Sequence, residues 1–93
     1  MIIGAATVRL YAPWVHSLKE KRMVVNSIVT KAQHKFNLSI AEIDAQDMHK
    51  TIVLGMACVA GTVKLADSII DTVITFIEAH TEAEITDIQR EIR

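Results

Sequence analysis

The stretch that decides the fold is Thr51-Ile-Val-Leu-Gly-Met-Ala-Cys-Val-Ala60, which carries no charged residue. It is far shorter than the roughly 20 apolar residues that a membrane-spanning helix needs. Its apolar side chains fall on both sides of an extended chain, which predicts a strand in the centre of a sheet rather than at its edge. Gly61 and Thr62 follow this strand and open a helix with an apolar stripe from Val63 to Ile77.

The residues before this strand predict a strand, a helix and a second strand. Residues 2–11 alternate with a period of two, and Pro13 ends that strand because it cannot donate to a neighbour. Residues 17–20, Ser-Leu-Lys-Glu, form a capping box at the start of a helix that Asn37 can end. Residues 38–44 predict a strand, in which Glu42 and Asp44 would share one face.

The last strand is predicted over residues 83–92, where isoleucines at 85, 88 and 92 break a strict alternation. We therefore expect a bulge near Thr86-Asp87. The order strand, helix, strand, strand, helix, strand, joined by right-handed crossovers, predicts one α+β domain over residues 1–93. This is the ferredoxin-like βαββαβ plait, a four-stranded antiparallel sheet with two helices on one face.

The second face of such a sheet has no cover within one chain. Alternate apolar residues of the first and third strands lie on it, and a large exposed apolar patch usually marks an interface. We therefore predict a homodimer through the open sheet face. The alternative is that the face carries only small side chains, which a monomer tolerates.

Length and composition exclude several classes of protein. A chain of 93 residues with 51% hydrophobic and 23% charged residues has room for one core and is not a disordered polypeptide. The one cysteine, Cys58, cannot close an internal disulfide, which favours a reducing, cytoplasmic location. Arg9 interrupts the first apolar run and no basic segment precedes it, so we expect neither a signal peptide nor a membrane anchor.

Charge is divided unevenly along the chain, although the net charge is only −1. Residues 1–36 hold six Lys and Arg against one acidic residue, whereas residues 62–93 hold three against seven. Lys19, Lys21 and Arg22 lie in the first turns of the first helix, where the helix dipole disfavours cations. Together with the Ser17 hydroxyl and the free amides of the helix start, they predict a site for phosphate or nucleic acid. The alternative is a solvated basic turn balanced by nearby carboxylates.

Side chains beside this cluster extend the predicted site. His16 and Trp14 precede it in the loop, and Trp14 with Tyr11 could stack on bases. The alternative for Trp14 is packing at the end of the core. The chain lacks the aromatic strand motifs of RNA-recognition modules.

Catalytic and metal sites have weaker signals. His16, Asp47 and His49 are suitable metal ligands, but they do not have the spacing of a metal motif, so we predict no metal and no cofactor. Glu42, Asp44 and Asp47 could act as acids or bases, although a salt bridge to the basic helix start explains them more simply. Serine-elbow, glycine-rich and paired-cysteine motifs are all missing, so we predict no catalytic residues.

Several short motifs resemble the YlxP-like family of small bacterial proteins of unknown function. The motifs are Pro13-Trp14, His16-Ser17-Leu18-Lys19, Lys21-Arg22, Phe36-Asn37, Ser39, Ala41-Glu42, Asp44, Gln46-Asp47, Leu54-Gly55 and Ala57. The resemblance implies a ferredoxin-like fold. It supplies no catalytic residues, and it implies work near the ribosome, because genes of this family commonly lie between those of an initiation factor and a ribosome-maturation factor.

Together these observations predict a binding protein rather than an enzyme. Its expected partner is ribosomal RNA or a ribosome assembly intermediate, with Lys19, Lys21 and Arg22 on phosphates. Ser17 would fix their register, and His16 and Trp14 would shape the surface. The alternatives are a regulatory module whose open sheet face and acidic last third dock a protein, and a metal-dependent enzyme that uses His16, Asp47 and His49.

Overall fold

Two helices cover one face of a four-stranded antiparallel sheet in the computed structural model, which describes all 93 residues. The elements are β1 (Ile2–Tyr11), α1 (Leu18–Lys35), β2 (Ser39–Asp44), β3 (Thr51–Ala60), α2 (Val63–Ala79) and β4 (Glu84–Ile92). The strand order is β2-β3-β1-β4, and every neighbouring pair is antiparallel. This confirms the predicted ferredoxin-like plait. Neither helix is long and apolar enough to span a membrane.

The centre of the sheet is the pairing of β1 with β3. All ten residues of β1 pair with β3 without interruption, from Ile2 opposite Ala60 to Tyr11 opposite Thr51. β3 lies between β1 and β2, which confirms its predicted central place. The helices cover the face of β3 that carries Ile52, Leu54, Met56 and Cys58, which is why those side chains are buried.

The predicted bulge in β4 is confirmed. Arg9 lies opposite Asp87 and Leu10 lies opposite Ile85, so Thr86 is an extra residue without a partner in β1. The Thr86 hydroxyl lies 3.3 Å from the carbonyl oxygen of Arg9 and donates to it. The bulge restores both Ile85 and Ile88 to the side of the sheet that the helices cover, which explains the irregular spacing of the isoleucines.

A second irregularity changes the prediction for β2. Glu42 lies opposite Leu54, but Asp44 lies opposite Val53, the very next residue of β3. Because neighbouring residues of a strand point to opposite faces, Glu42 and Asp44 do not share a face, and that prediction was wrong. The shift is caused by one extra residue, Ile43, which alternation alone does not reveal.

Both helices begin at a hydroxyl cap. The Ser17 hydroxyl accepts a hydrogen bond from the Glu20 amide at 3.1 Å, and the Thr62 hydroxyl accepts one from the Leu65 amide at 3.1 Å. The Glu20 half of the predicted capping box does not form as expected, because its carboxylate lies 3.5 Å from the Ser17 hydroxyl rather than reaching the Ser17 amide. α1 ends at Lys35 with Phe36 as the capping residue, just before Asn37.

The core lies between the helices and the sheet. Its largest fully buried apolar side chains are Leu10, Ile52, Leu54, Ile70 and Ile77. Burial of each such side chain stabilises the fold by about 1.5–3 kcal/mol. The one charged residue among the buried set is in α1 and belongs to the site described below.

The opposite face of the sheet is open, and its centre is lined by small side chains. Ala5 and Thr7 of β1 lie beside Gly55 and Ala57 of β3 there, all of them partly exposed. Val59, which is 65% exposed, is a larger apolar residue on this face. The homodimer through the open sheet face stays a prediction.

Candidate functional site

Three connections meet at one edge of the sheet, which we call the upper edge, where β1 ends and β3 begins. They are residues 12–17, residues 45–50 and residues 80–83. The Ala12 amide donates to the Lys50 carbonyl at 2.8 Å, and the Lys50 ammonium donates to the carbonyls of Pro13 at 2.6 Å and Val15 at 3.0 Å. Lys50 therefore fastens the first connection to the second. This role was not predicted, because a lysine in a polar turn has no periodicity that separates it from a solvated one.

Lys21 does not take part in an open anion site, so its predicted phosphate contact was wrong. Its residue surface is only 1% exposed, and its Nζ lies 2.9 Å from Oε2 of Glu42. The same Nζ donates to the Ala45 carbonyl at 2.5 Å. The cause is helical position, since Lys21 shares the buried face of α1 with Val25 and Ile28. The simpler interpretation of Glu42, a salt bridge to the basic helix start, is confirmed.

The Lys21 ammonium joins α1 to the turn after β2. Ala45 has a left-handed backbone with φ of 54°, which costs energy for a residue with a Cβ, and its carbonyl accepts from Lys21. Oε2 of Glu42 is buried and receives no aligned hydrogen bond, although the ammonium is within 2.9 Å. The contact with Glu42 is therefore an ion pair, while the aligned donor goes to the backbone. Lys21 stabilises this turn of the upper edge.

The remaining cations of α1 are exposed and unpaired. We call Lys19, Arg22, Lys31 and Lys35 the basic surface of α1. The ion pairs of the chain are Lys21 with Glu42, Arg90 with Asp67 and Asp71, and Arg93 with Glu91. No cation of the basic surface of α1 therefore has a carboxylate within 4.0 Å.

Ser17 and His16 lie beside this surface, and their side chains have different hydrogen-bond partners. The Ser17 hydroxyl already caps α1, so it sets where the helix begins. His16 is exposed, and its Nδ1 lies 3.4 Å from the Lys50 ammonium. The structure thus places both residues at the upper edge, and it gives His16 a cation as its neighbour.

Trp14 lines a shallow cleft between the start of α1 and the end of α2. Its indole is partly exposed, and the cleft of about 320 Å³ also includes Met23, Ile28 and His80. Met23 lies one turn after Lys19 on the same face of α1, so Trp14 borders the side of the basic surface that holds Lys19. Tyr11 lies opposite Thr51 on the open sheet face and does not join Trp14. Met23 was not among the predicted site residues.

The alternative of a metal-dependent enzyme finds no support in these side chains. No group of three or more His, Cys, Asp or Glu lies close enough together to hold a metal ion, so His16, Asp47 and His49 do not form such a cluster. Asp44 accepts a hydrogen bond from the Ala45 amide at 2.7 Å, and Glu42 is paired with Lys21. Two of the three candidate acids therefore have structural partners.

The comparisons with known proteins identify the family of this chain. Residues 3–90 match the family described as protein of unknown function, DUF503. The chain belongs to this family. It is similar to an uncharacterized protein of Bacillus subtilis (strain 168) called YlxP, with 40% identity over 70 residues that cover 75% of this chain and 76% of the relative. The resemblance to the YlxP-like family is confirmed.

A solved structure supports the fold independently. The chain is similar to a de novo designed protein with a ferredoxin fold, whose solution NMR structure aligns with a TM-score of 0.61. The alignment covers 100% of this chain and 86% of the designed one at 21% sequence identity. This similarity concerns the fold alone.

Proposed function

We propose that this DUF503 protein is a small non-catalytic binding protein whose basic surface of α1 contacts the phosphates of ribosomal RNA, in the ribosome or in an assembly intermediate. The observation that carries the proposal is that Lys19, Arg22, Lys31 and Lys35 are exposed and have no carboxylate partner. A polyanion is the ligand that such a surface attracts.

Two of these cations are placed against the field of the helix. Lys19 and Arg22 lie in the first turns of α1, where each positive charge costs about 0.3–1 kcal/mol. Glu20 is the one acidic residue of α1, and it lies by the Ser17 cap rather than within 4.0 Å of either cation. Lys35 needs no such explanation, because a cation in the last turn stabilises a helix. Lys19 and Arg22 therefore carry most of the argument.

The four cations form two pairs on the surface of α1. Lys19 and Arg22 are three residues apart, and Lys31 and Lys35 are four apart, so each pair lies together on the helix surface. At 1.5 Å per residue, Lys19 and Lys31 are about 18 Å apart along the axis. At 3.6 residues per turn the two pairs lie nearly opposite one another around α1, so the pair Lys19 and Arg22 is the proposed phosphate contact, and Lys31 and Lys35 add to the positive field around the helix. Trp14 beside Lys19 offers a surface on which a base could stack.

The ribosome is selected among polyanions by the YlxP-like gene setting, which associates this family with translation factors. Lys21 has no part in the proposal, since its ammonium is satisfied inside the protein. His16 and Ser17 contribute to the shape and the fixed position of the helix start. The proposal thus rests on fewer residues than the sequence suggested.

The test is co-sedimentation with purified ribosomal subunits at low salt. The variant Lys19→Glu/Arg22→Glu should no longer pellet with the subunits, and the wild-type protein should be released as salt rises. Lys64→Glu is the matched control, because Lys64 is also exposed and unpaired but lies at the start of α2, outside the basic surface of α1. Equal pelleting of the wild type and the double variant would contradict the proposal.

A second candidate function is a regulatory module that docks a protein. The open sheet face exposes Val59, and its β4 side bears Glu84, Asp87 and Glu91. A partner with an apolar centre and a basic rim would complement this face. Binding that resists high salt and is lost in Val59→Lys would favour this candidate over RNA.

A further inference from the structure

β4 is an unprotected edge of the sheet. It is the outermost strand in the order β2-β3-β1-β4, its nine residues contain no proline, and all except Ile85 are exposed. An edge strand presents a row of backbone groups without partners and is a ready template for another strand. β2, the other edge, is six residues long and its register shifts before Asp44. β4 is therefore the longer free edge.

The backbone pattern shows which residues of β4 face outward. Ile3 and Arg93 exchange two backbone hydrogen bonds, both of 2.8 Å. Because this orientation alternates along a strand, Arg93 and every second residue before it direct their backbone groups to β1. Ile88, Arg90 and Ile92 consequently direct their N–H and C=O groups away from the sheet.

We propose that a second copy of this chain adds its β4 to this edge, antiparallel, about a two-fold axis at Arg90. Ile88 then lies opposite the partner's Ile92, and Arg90 lies opposite the partner's Arg90. The outward groups form about six backbone hydrogen bonds. The two sheets become one continuous sheet of eight strands, and the dimer closes because the same surface is used twice.

The side chains of β4 favour this register over the registers whose two-fold axis lies one residue away. Ile88 and Ile92 are 40% and 37% exposed, and the register places Ile88 of each copy against the partner's Ile92, which gives two apolar pairs, one on each side of the axis. Asp87 lies opposite the partner's Arg93, so two opposite-charge pairs form on the open face. An axis at Gln89 would instead place Asp87 opposite the partner's Glu91, and an axis at Glu91 would place that residue opposite itself. Both alternatives oppose like charges.

The remaining pairs are compatible with the proposed axis. Arg90 would meet its own copy, but its guanidinium is already bound to Asp71 and lies 3.5 Å from Oδ1 of Asp67. These two carboxylates of α2 offset the positive charge of Arg90 already in the monomer. An axis at Ile88 is excluded on different grounds, because it would place Arg90 opposite the bulged Thr86, where the strand is irregular.

The proposal is tested by the oligomeric state of the full chain, measured by sedimentation velocity from micromolar to millimolar protein. Asp87→Arg and Arg93→Asp should each weaken the dimer by about tenfold, since two charge pairs change sign. The double variant should restore it. This rescue matters because Asp87 lies opposite Arg9 and Arg93 is bound to Glu91 within the same chain, so either variant alone could act through the monomer.

Amide hydrogen exchange supplies a second measurement that needs no variant. The outward amides of Ile88, Arg90 and Ile92 should become protected as the protein concentration rises. Val59→Lys, on the open face, should leave the dimer unchanged. A chain that stays monomeric at every concentration would overturn the proposal, as would a dimer that is lost in Val59→Lys and insensitive to both charge reversals. The RNA binding proposed above does not depend on this dimer, so the two can fail separately.

Discussion

The ion pair between Lys21 and Glu42 gives the sharpest test of how this fold is held together. Lys21→Met keeps the length of the side chain and most of its apolar packing while it removes the ammonium. The change leaves the Glu42 carboxylate without its cation and the Ala45 carbonyl without its donor. Both groups lie at the turn after β2, so the loss falls on the upper edge of the sheet.

The expected loss of unfolding free energy in Lys21→Met follows from the burial of the ion pair. Removal of one partner of a buried ion pair costs about 3–5 kcal/mol. The Glu42 side chain retains 18% exposure and can turn toward water, which places the expected loss near the lower end, at about 3 kcal/mol. For a domain of this size, that lowers the melting temperature by about 12–24 °C. Glu42→Gln keeps the shape and should cost less, about 1–3 kcal/mol.

The assay is urea unfolding at neutral pH, followed by circular dichroism and Trp14 fluorescence. Lys21→Met/Glu42→Leu removes both charges and should recover to within about 1 kcal/mol of the wild type. Lys19→Met is the matched control on the same helix and should change stability by less than about 0.5 kcal/mol, because Lys19 is exposed and unpaired. The reasoning is refuted if Lys21→Met costs under about 1 kcal/mol, or if the double variant is as unstable as the two single losses added together.

Three further changes test separate contacts. Ser17→Ala should destabilise the protein by about 1 kcal/mol through loss of the α1 cap, and an unchanged urea midpoint would contradict this. Gly4→Ala should cost about 1–3 kcal/mol, because its Cβ would lie 3.2 Å from Cβ of Ala66 in α2, and a stabilised variant would show that the helix yields freely. The Glu91 carboxyl should titrate below its ordinary pKa, because Arg93 donates a hydrogen bond to it and attracts its charge. The contact contributes a little stability at pH values above the ordinary pKa of Glu, and this contribution is lost as pH falls through the lowered pKa. In Arg93→Gln, the pKa of Glu91 measured by NMR titration should rise toward its ordinary value. An unchanged pKa would contradict the contact.

The elements of the fold could be predicted because their signals are local. Alternation indicated the bounds of β1, an uninterrupted apolar run indicated those of β3, and the spacing of Ile85, Ile88 and Ile92 located the bulge near Thr86. Ile40 and Ile43 of β2 are also three residues apart, but this six-residue strand has too few apolar residues to establish an alternation, so its shift was not predicted. A bulge is visible in a sequence only where it breaks a pattern that the strand otherwise keeps.

The candidate site was only partly predictable, because its outcome depended on contacts between distant elements. Lys19 and Lys21 are the same residue type within one turn of helix, yet the first is exposed and the second is buried. Their positions on the helical wheel already separated them, since Lys21 lies in the arc of Val25 and Ile28. What made burial possible was Glu42 across the upper edge, a partner that only the folded chain supplies. Lys50 was missed for the same reason.

The most direct measurement of the central claim is the salt dependence of affinity for a ribosomal RNA fragment, compared between the wild type and Lys19→Gln/Arg22→Gln. Each phosphate contact on a single strand contributes about −0.7 to the slope of log K against log salt, so loss of Lys19 and Arg22 should make that slope shallower by about 1.5. The account predicts this difference, with Lys64→Gln close to the wild type. Equal slopes for the wild type and the double variant would contradict it.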